Sequence, residues 1–274
     1  MIIFSNCKIN LGLHVISKRD DGFHNLETVF YSIPLYDCLE LIPGKNDAVN
    51  RVNFHSFGLL IDGDSNQNLV VKAYHLLAKD YELKPVDFYL LKNIPMGAGL
   101  GGGSSNAAFT LKMLNEYFKL EISNQKLKEY AAILGSDCAY FIENTPCYAT
   151  GRGEIIEPID LSLKGYFFVL INPNIHVSTA EAFSNVYKRG EQQNSLKDLI
   201  KNPIENWKNL IENDFEKSVF LNYPEIKNLK EKLYDNGAIY ASMSGSGSSV
   251  FGLFKENIDL KNQFEGNFYF SCTL

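Results

Sequence analysis

Apolar and polar residues alternate along residues 2–17 and the alternation breaks at 10–12, which predicts a pair of strands joined there. Lys8 and Asn10 stand two positions apart in that run, so strand periodicity sends both side chains to one surface. Asp21-Gly22 marks a tight turn, and residues 26–33, 38–42 and 51–57 predict further strands, with a polar loop at 45–50 and a turn-rich stretch at 58–66. Helical spacing follows at 68–81 through Leu69, Ala73, Leu76, Leu77 and Tyr81. A short, largely apolar run at 87–94 leads into a glycine-rich stretch, then into a helix carrying Ala107, Ala108, Leu111, Leu114 and Phe118, which Ser104 and Ser105 can cap. Ser123 caps the next helix; Leu127, Tyr130, Ala131 and Leu134 line its buried face and Gly135 ends it.

The second half continues with strand patterns at 147–150 and 166–172. Ser178 and Glu181 form an S-x-x-E capping box that opens a helix over 178–188. Residues 192–222 are polar and helical in pieces, with Trp207 among them. A helix at 224–236 closes at Gly237; strands at 239–243, 250–254 and 267–272 follow, with a short helix at 258–264. Strand and helix runs without regular alternation predict an α+β protein. The turn-rich residues 157–164 predict a boundary between domains at 1–157 and 158–274.

Residues 95–108 read P-M-G-A-G-L-G-G-G-S-S-N-A-A, with five glycines within 97–103. So many residues without Cβ point to backbone that approaches a ligand closely, with N–H groups turned inward. The helix beginning there adds unpaired N–H groups and partial positive charge, which favours an anion. The stretch therefore reads as a phosphate cradle. Gly97, Gly99 and Gly102 also satisfy G-x-G-x-x-G, with Glu121 beyond, but a dinucleotide fold requires a strand after the helix, and residues 123–134 are helical again. A Walker A loop would need a lysine where Gly103-Ser104 stands.

Composition narrows the class further. The chain has 274 residues, 45% of them hydrophobic, enough for one large domain or two modest ones. No run approaches the ~18 apolar residues of a membrane span, and the start of the chain lacks the pattern of a signal peptide. The five cysteines are scattered without C-x-x-C spacing, which suggests free thiols in a reducing, cytoplasmic setting. A net charge of −6 argues against nucleic acid as a partner and requires local cations or a metal at any anion site.

Three segments, K-I-N-L-G-L-H-V-I-S-K-R-D-D-G-F-H-N-L-E-T near the start, P-M-G-A-G-L-G-G-G-S-S-N-A-A, and M-S-G-S-G-S-S-V-F-G-L-F near the end, together resemble the GHMP small-molecule kinases. K-x-N-L-x-L followed by K-R-x-D-G-F-H is similar to the branch of that family that phosphorylates a 4-diphosphocytidyl methylerythritol of the non-mevalonate isoprenoid route. The resemblance implies an N-terminal domain of ribosomal-protein-S5-like fold and a C-terminal ferredoxin-like domain. It implies ATP as phosphoryl donor, Mg²⁺, and a monomer or weak homodimer.

By the same resemblance Lys8 and Asp137 match the catalytic pair. Pro95, Met96, Gly97, Ala98, Gly99, Leu100, Gly101, Gly102, Gly103, Ser104 and Ser105 match the ATP phosphate loop, and Asn68 sits near the nucleotide. Asn10, Phe23, His24, Thr179 and Phe183 match the substrate side, with Phe23 standing where the family commonly has Tyr. No metal ligand is assigned; either Ser104 or Ser105 can touch Mg²⁺. His24 can act through its ring or its backbone, and Phe183 can pack on cytosine or in the core. The second glycine-serine loop, 244–249, either approaches the substrate phosphates or braces the first loop.

Overall fold

The structure is a computed structural model that describes residues 1–45, 51–184 and 194–274. In chain order its elements are β1 (Ile2–Lys18), β2 (His24–Pro43), β3 (Val52–Gly58), α1 (Leu69–Leu77), β4 (Val86–Lys92), α2 (Gly102–Tyr117), α3 (Asn124–Leu134), α4 (Tyr140–Glu143), β5 (Cys147–Gly151), β6 (Ile155–Pro158) and β7 (Phe167–Asn172). Then come α5 (Thr179–Phe183), α6 (Leu196–Leu199), α7 (Trp207–Leu210), α8 (Phe215–Asn222), α9 (Pro224–Asp235), β8 (Tyr240–Met243), β9 (Val250–Phe254) and β10 (Phe268–Thr273). They gather into two compact units that interleave along the chain.

The first unit takes Met1–Cys7, Leu35–Ile94 and Gly101–Thr145. Here β3 runs parallel to β4, and β4 runs antiparallel to the second half of β2, Cys38 opposite Leu91. Helix α1 packs on α2, and α3 packs on both. The small residues Ala107 and Ala108, both fully buried, let neighbours approach α2 closely. Leu111, Met113 and Leu114 extend its buried surface, each contributing roughly 1.5–3 kcal/mol by leaving water.

The second unit takes Lys8–Pro34, Pro95–Leu100 and Pro146–Leu274. The first half of β2 pairs with β5, and β5 with β6. A four-stranded antiparallel sheet runs in the order β10-β7-β9-β8. Helix α9 packs on β8 and β9, and α8 packs on α5 and α9. Val169, Ile171, Phe215, Val219, Ile226, Leu233 and Val250 share the core with Leu13 and Val15.

Most predicted elements are present within a residue or two, and five differ. The helix predicted over 68–81 ends at Leu77. Residues 2–17 are one strand, not two. Gly12 breaks the pattern because it is crossed, not because the chain turns: a Cβ there would lie 2.6 Å from Ile211 and 2.8 Å from Leu196. Its neighbour Leu13 exchanges backbone hydrogen bonds with Glu212 and Asp214. Residues 26–42 are likewise a single strand, in which Pro34 falls between the residues paired to β5 and those paired to β4. Ser104 and Ser105 do not cap α2. Gly101 does, in a left-handed conformation (φ 66°, ψ 18°) that makes no side-chain cap. The helix at 258–264 shrinks to a 3₁₀ turn at Lys261–Phe264. Parts of the predicted loop at 45–50 and helix at 178–188 lie outside the described residues; α5 is described through Phe183 and begins at a Ser178 cap on Glu181.

Candidate active site

In the first unit the site is built around the start of α2. Because Gly101 has no side chain, the residue at the cap position offers no oxygen to the first amides of the helix. Those donors carry the positive end of a sixteen-residue helix, a place suited to a phosphate. Ser105, in the first turn, is fully buried, and its Oγ has no hydrogen-bond partner among the described residues. Ser104 faces the segment that carries Asp137: a Cβ on Gly135 would lie 3.9 Å from Ser104 Oγ and 3.2 Å from Cys138 Sγ. Gly135 ends α3 in extended backbone, and its carbonyl accepts from the Cys138 amide at 3.1 Å. Asp137 is thereby fixed, half-buried, on a short turn beside Ser104. Asn68 caps α1, its side-chain oxygen accepting from the Val70 amide at 2.9 Å.

Burial pushes the Cys138 thiol up to about 12, with the Asp137 charge adding to the effect. A thiol held protonated is a poor nucleophile. Cys138 should therefore resist a thiol-specific alkylating reagent at pH 8 in the native protein and react once denatured, which mass spectrometry of the labelled peptides will show.

In the second unit the site centres on Lys8 and Asn10, whose period-two spacing on β1 puts both at the same buried spot. Lys8 Nζ donates to Asn10 Oδ1 at 2.6 Å and to the Gly99 carbonyl at 3.1 Å, and lies 5.0 Å from the Phe30 ring centre. The Lys8 backbone amide donates to the Leu100 carbonyl at 3.0 Å. Asn10 Nδ2 donates to Thr28 Oγ1 at 2.8 Å, which donates in turn to the Gly12 carbonyl at 2.7 Å.

The 244–249 loop braces the first glycine loop. Ser244 Oγ donates to the Gly99 carbonyl at 2.9 Å and accepts from the Asn10 amide at 3.2 Å; the Ser249 amide donates to the Ala98 carbonyl. A Cβ on Gly99 would lie 1.8 Å from the Ser244 carbonyl oxygen, so the loops touch backbone to backbone. Asn213, buried, holds the second loop by donating to the Met243 and Gly245 carbonyls.

The residues that the resemblance assigns to the substrate side divide. His24 and Phe183 stack, ring centres 4.4 Å apart and 14° from parallel, and Phe183 meets Phe215 edge-on. Phe23 is exposed and carries the Arg152 guanidinium 5.0 Å from its ring centre. Thr179 is the exposed first residue of α5. Met96 is exposed, while Pro95, Ala98 and Leu100 are buried. Gly97 and Gly99 have positive φ, Gly102 opens α2, and Gly103 is exposed in its first turn. Sequence reasoning did not find Thr28, Ser244 as an individual contact, or Asp37, Lys92 and Asn106, buried near α2. Only Ser244 had a signal, its place in a dense glycine-serine run.

A cradle of glycine-bound amides on this α+β scaffold defines a small-molecule kinase of the GHMP class. The models of the GHMP kinases N terminal domain and GHMP kinases C terminal families match residues 68–144 and 195–266. A 4-diphosphocytidyl-2-C-methyl-D-erythritol kinase of Bacteroides fragilis is 57% identical over 275 residues, covering 100% of both chains. A protein of the same name from Bacteroides thetaiotaomicron is 54% identical, covering 93% of this chain and 92% of its own. A crystal structure of 4-(cytidine 5'-diphospho)-2C-methyl-D-erythritol kinase superposes with a TM-score of 0.78 at 30% identity, covering 92% of this chain and 90% of that one. The chain belongs to the 4-diphosphocytidyl-2-C-methyl-D-erythritol kinase family.

Proposed function

We propose that the chain transfers the γ-phosphoryl group of ATP to the 2-hydroxyl of 4-diphosphocytidyl-2-C-methyl-D-erythritol, giving the 2-phosphate and ADP in non-mevalonate isoprenoid precursor synthesis. The observation that carries phosphoryl transfer is the uncapped start of α2, entered through left-handed Gly101. Residues 95–105 hold the phosphates of ATP through the amides that follow Pro95, and the Asn68 side chain serves the nucleotide. Phosphoryl transfer passes through a loose transition state, so placement and charge neutralisation supply most of the rate. Asp137 orients the acceptor hydroxyl and takes its proton late, as the new P–O bond makes that proton acidic. Lys8, whose ammonium is fixed by Asn10 and Gly99, neutralises charge on the transferring group. His24 and Phe183 offer their stacked rings to the cytosine, with Asn10, Phe23 and Thr179 completing the substrate side.

Among the described residues no cluster of three or more His, Cys, Asp or Glu side chains offers an all-protein metal cage. Mg²⁺ is usually held by substrate phosphates, waters and one or two protein oxygens, and the Ser105 Oγ, without a partner among the described residues, fits that mode better than Ser104. When bound, the ion would supply positive charge against the negative charge of the phosphates. We propose residues 157/158 as the boundary between the two family domains, and a cytoplasmic location. No helix among the described residues is long and apolar enough to cross a membrane.

Substrate-dependent ADP release across a panel tests the reading. Turnover with the cytidine substrate, and none with homoserine or mevalonate, is expected. Turnover of either alcohol without the cytidine substrate rejects it.

A further inference from the structure

Beneath the start of α2 lies a polar cluster that the reaction as described leaves unused. Asp37, Lys92, Asn106 and Ser5 are all 3% exposed or less. The Lys92 ammonium pairs with Asp37 Oδ2 and donates to Asn106 Oδ1 at 3.1 Å. Asn106 Nδ2 donates to Asp37 Oδ2 at 2.9 Å and to Ser5 Oγ at 2.8 Å. The other Asp37 oxygen accepts two consecutive backbone amides, Asn93 at 2.7 Å and Ile94 at 2.9 Å. One carboxylate thus ties down the chain immediately before the glycine loop and the helix immediately after it. The grip on the helix is close: a Cβ on Gly102 would lie 2.9 Å from Lys92 Nζ.

Stability is a poor explanation for such a cluster. Desolvating both charges offsets most of their attraction, and well-packed apolar replacements are often neutral or stabilising. Burial pulls the Lys92 ammonium below its ordinary range, with Asp37 opposing the shift. What the cluster supplies is a fixed spacing between the two ends of the loop. We infer that Asp37, Lys92 and Asn106, with Ser5, form a positioning network that sets the phosphate loop for transfer. None of the four is a catalytic residue. The inference rests on the reading that residues 95–105 hold the phosphates of ATP.

The test compares wild type with the double variant Asp37→Asn/Lys92→Met, which removes both buried charges at similar volume. The double variant is expected to melt near wild type, while kcat falls at least about tenfold and KM for ATP rises, because a displacement of about 1 Å costs up to ~10²-fold. KM for the cytidine substrate should stay within about twofold, and hydrogen exchange of the Asn93 and Ile94 amides should quicken. A folded double variant with kcat and both KM values within about twofold of wild type overturns the inference. So does an equal rise of both KM values alongside a lowered melting temperature, which marks a merely structural role.

If the double variant does not fold, Ser5→Ala decides. Losing one acceptor of Asn106 should lower kcat about threefold without moving KM for the cytidine substrate, and an unchanged kcat rejects the network. Wild-type turnover of the cytidine substrate is measured first. Should that fail, the proposed reaction fails alone, and calorimetry of an ATP analogue on the same variants still reads the network.

Discussion

Asp137→Ala is expected to lower kcat by about 10³-fold or more while an ATP analogue binds within about threefold of wild type. The two effects separate because of where the residue stands. The turn that carries Asp137 is closed by the Cys138–Gly135 backbone bond, which does not use the carboxylate. Asp137→Ala leaves that bond and the amides of α2 in place. What disappears is the group proposed to orient the hydroxyl and accept its proton. Rapid-quench single turnovers report transfer, and calorimetry reports binding. Retained turnover would remove Asp137 from the mechanism; lost binding alongside lost turnover would make it a structural residue of the cradle. Lys8→Met should show the same division, because its contacts to Asn10 and Gly99 place a charge rather than carry the core.

Gly99→Ala is expected to lower stability by about 2–4 kcal/mol and to remove activity. The methyl group would lie 1.8 Å from the Ser244 carbonyl oxygen, well inside any contact distance, so the two glycine loops must part. Parting them breaks the Ser244–Gly99 and Lys8–Gly99 hydrogen bonds together. Backbone strain at φ +76° adds to the cost. Gly266→Ala isolates that smaller term: its φ is +81°, but a Cβ there meets nothing within 4 Å, so it should cost only about 1 kcal/mol and leave turnover intact. Thermal unfolding of the pair, read beside ADP release, gives the comparison. Equal behaviour of the two variants would mean that the backbone contact with Ser244 carries no weight.

What the sequence made legible was local. Ser123 and Ser178 cap their helices as read, because a cap joins residues two or three apart. The glycine loop was legible for the same reason: its density of residues without Cβ is a local signal of close backbone approach. Gly12 and Pro34 misled because each looks like punctuation, yet each answers a tertiary demand. Gly12 yields space to Ile211 and Leu196, and Pro34 occupies a change of strand partners. The Asp37–Lys92–Asn106 network was illegible, since its members stand 55 and 14 residues apart and each alone reads as a solvated polar residue. Period-two spacing did find Lys8 and Asn10, but not that Ser244 and Gly99 would complete their surroundings.

A crystal structure with a non-hydrolysable ATP analogue and the cytidine substrate bound together decides the matter. The expected result is a triphosphate lying on the amides of the glycine loop, its terminal phosphorus facing the substrate 2-hydroxyl, with Lys8 and Asp137 both in contact with the reacting groups. A fully liganded enzyme whose terminal phosphate lay away from Lys8 and Asp137 would contradict the mechanism.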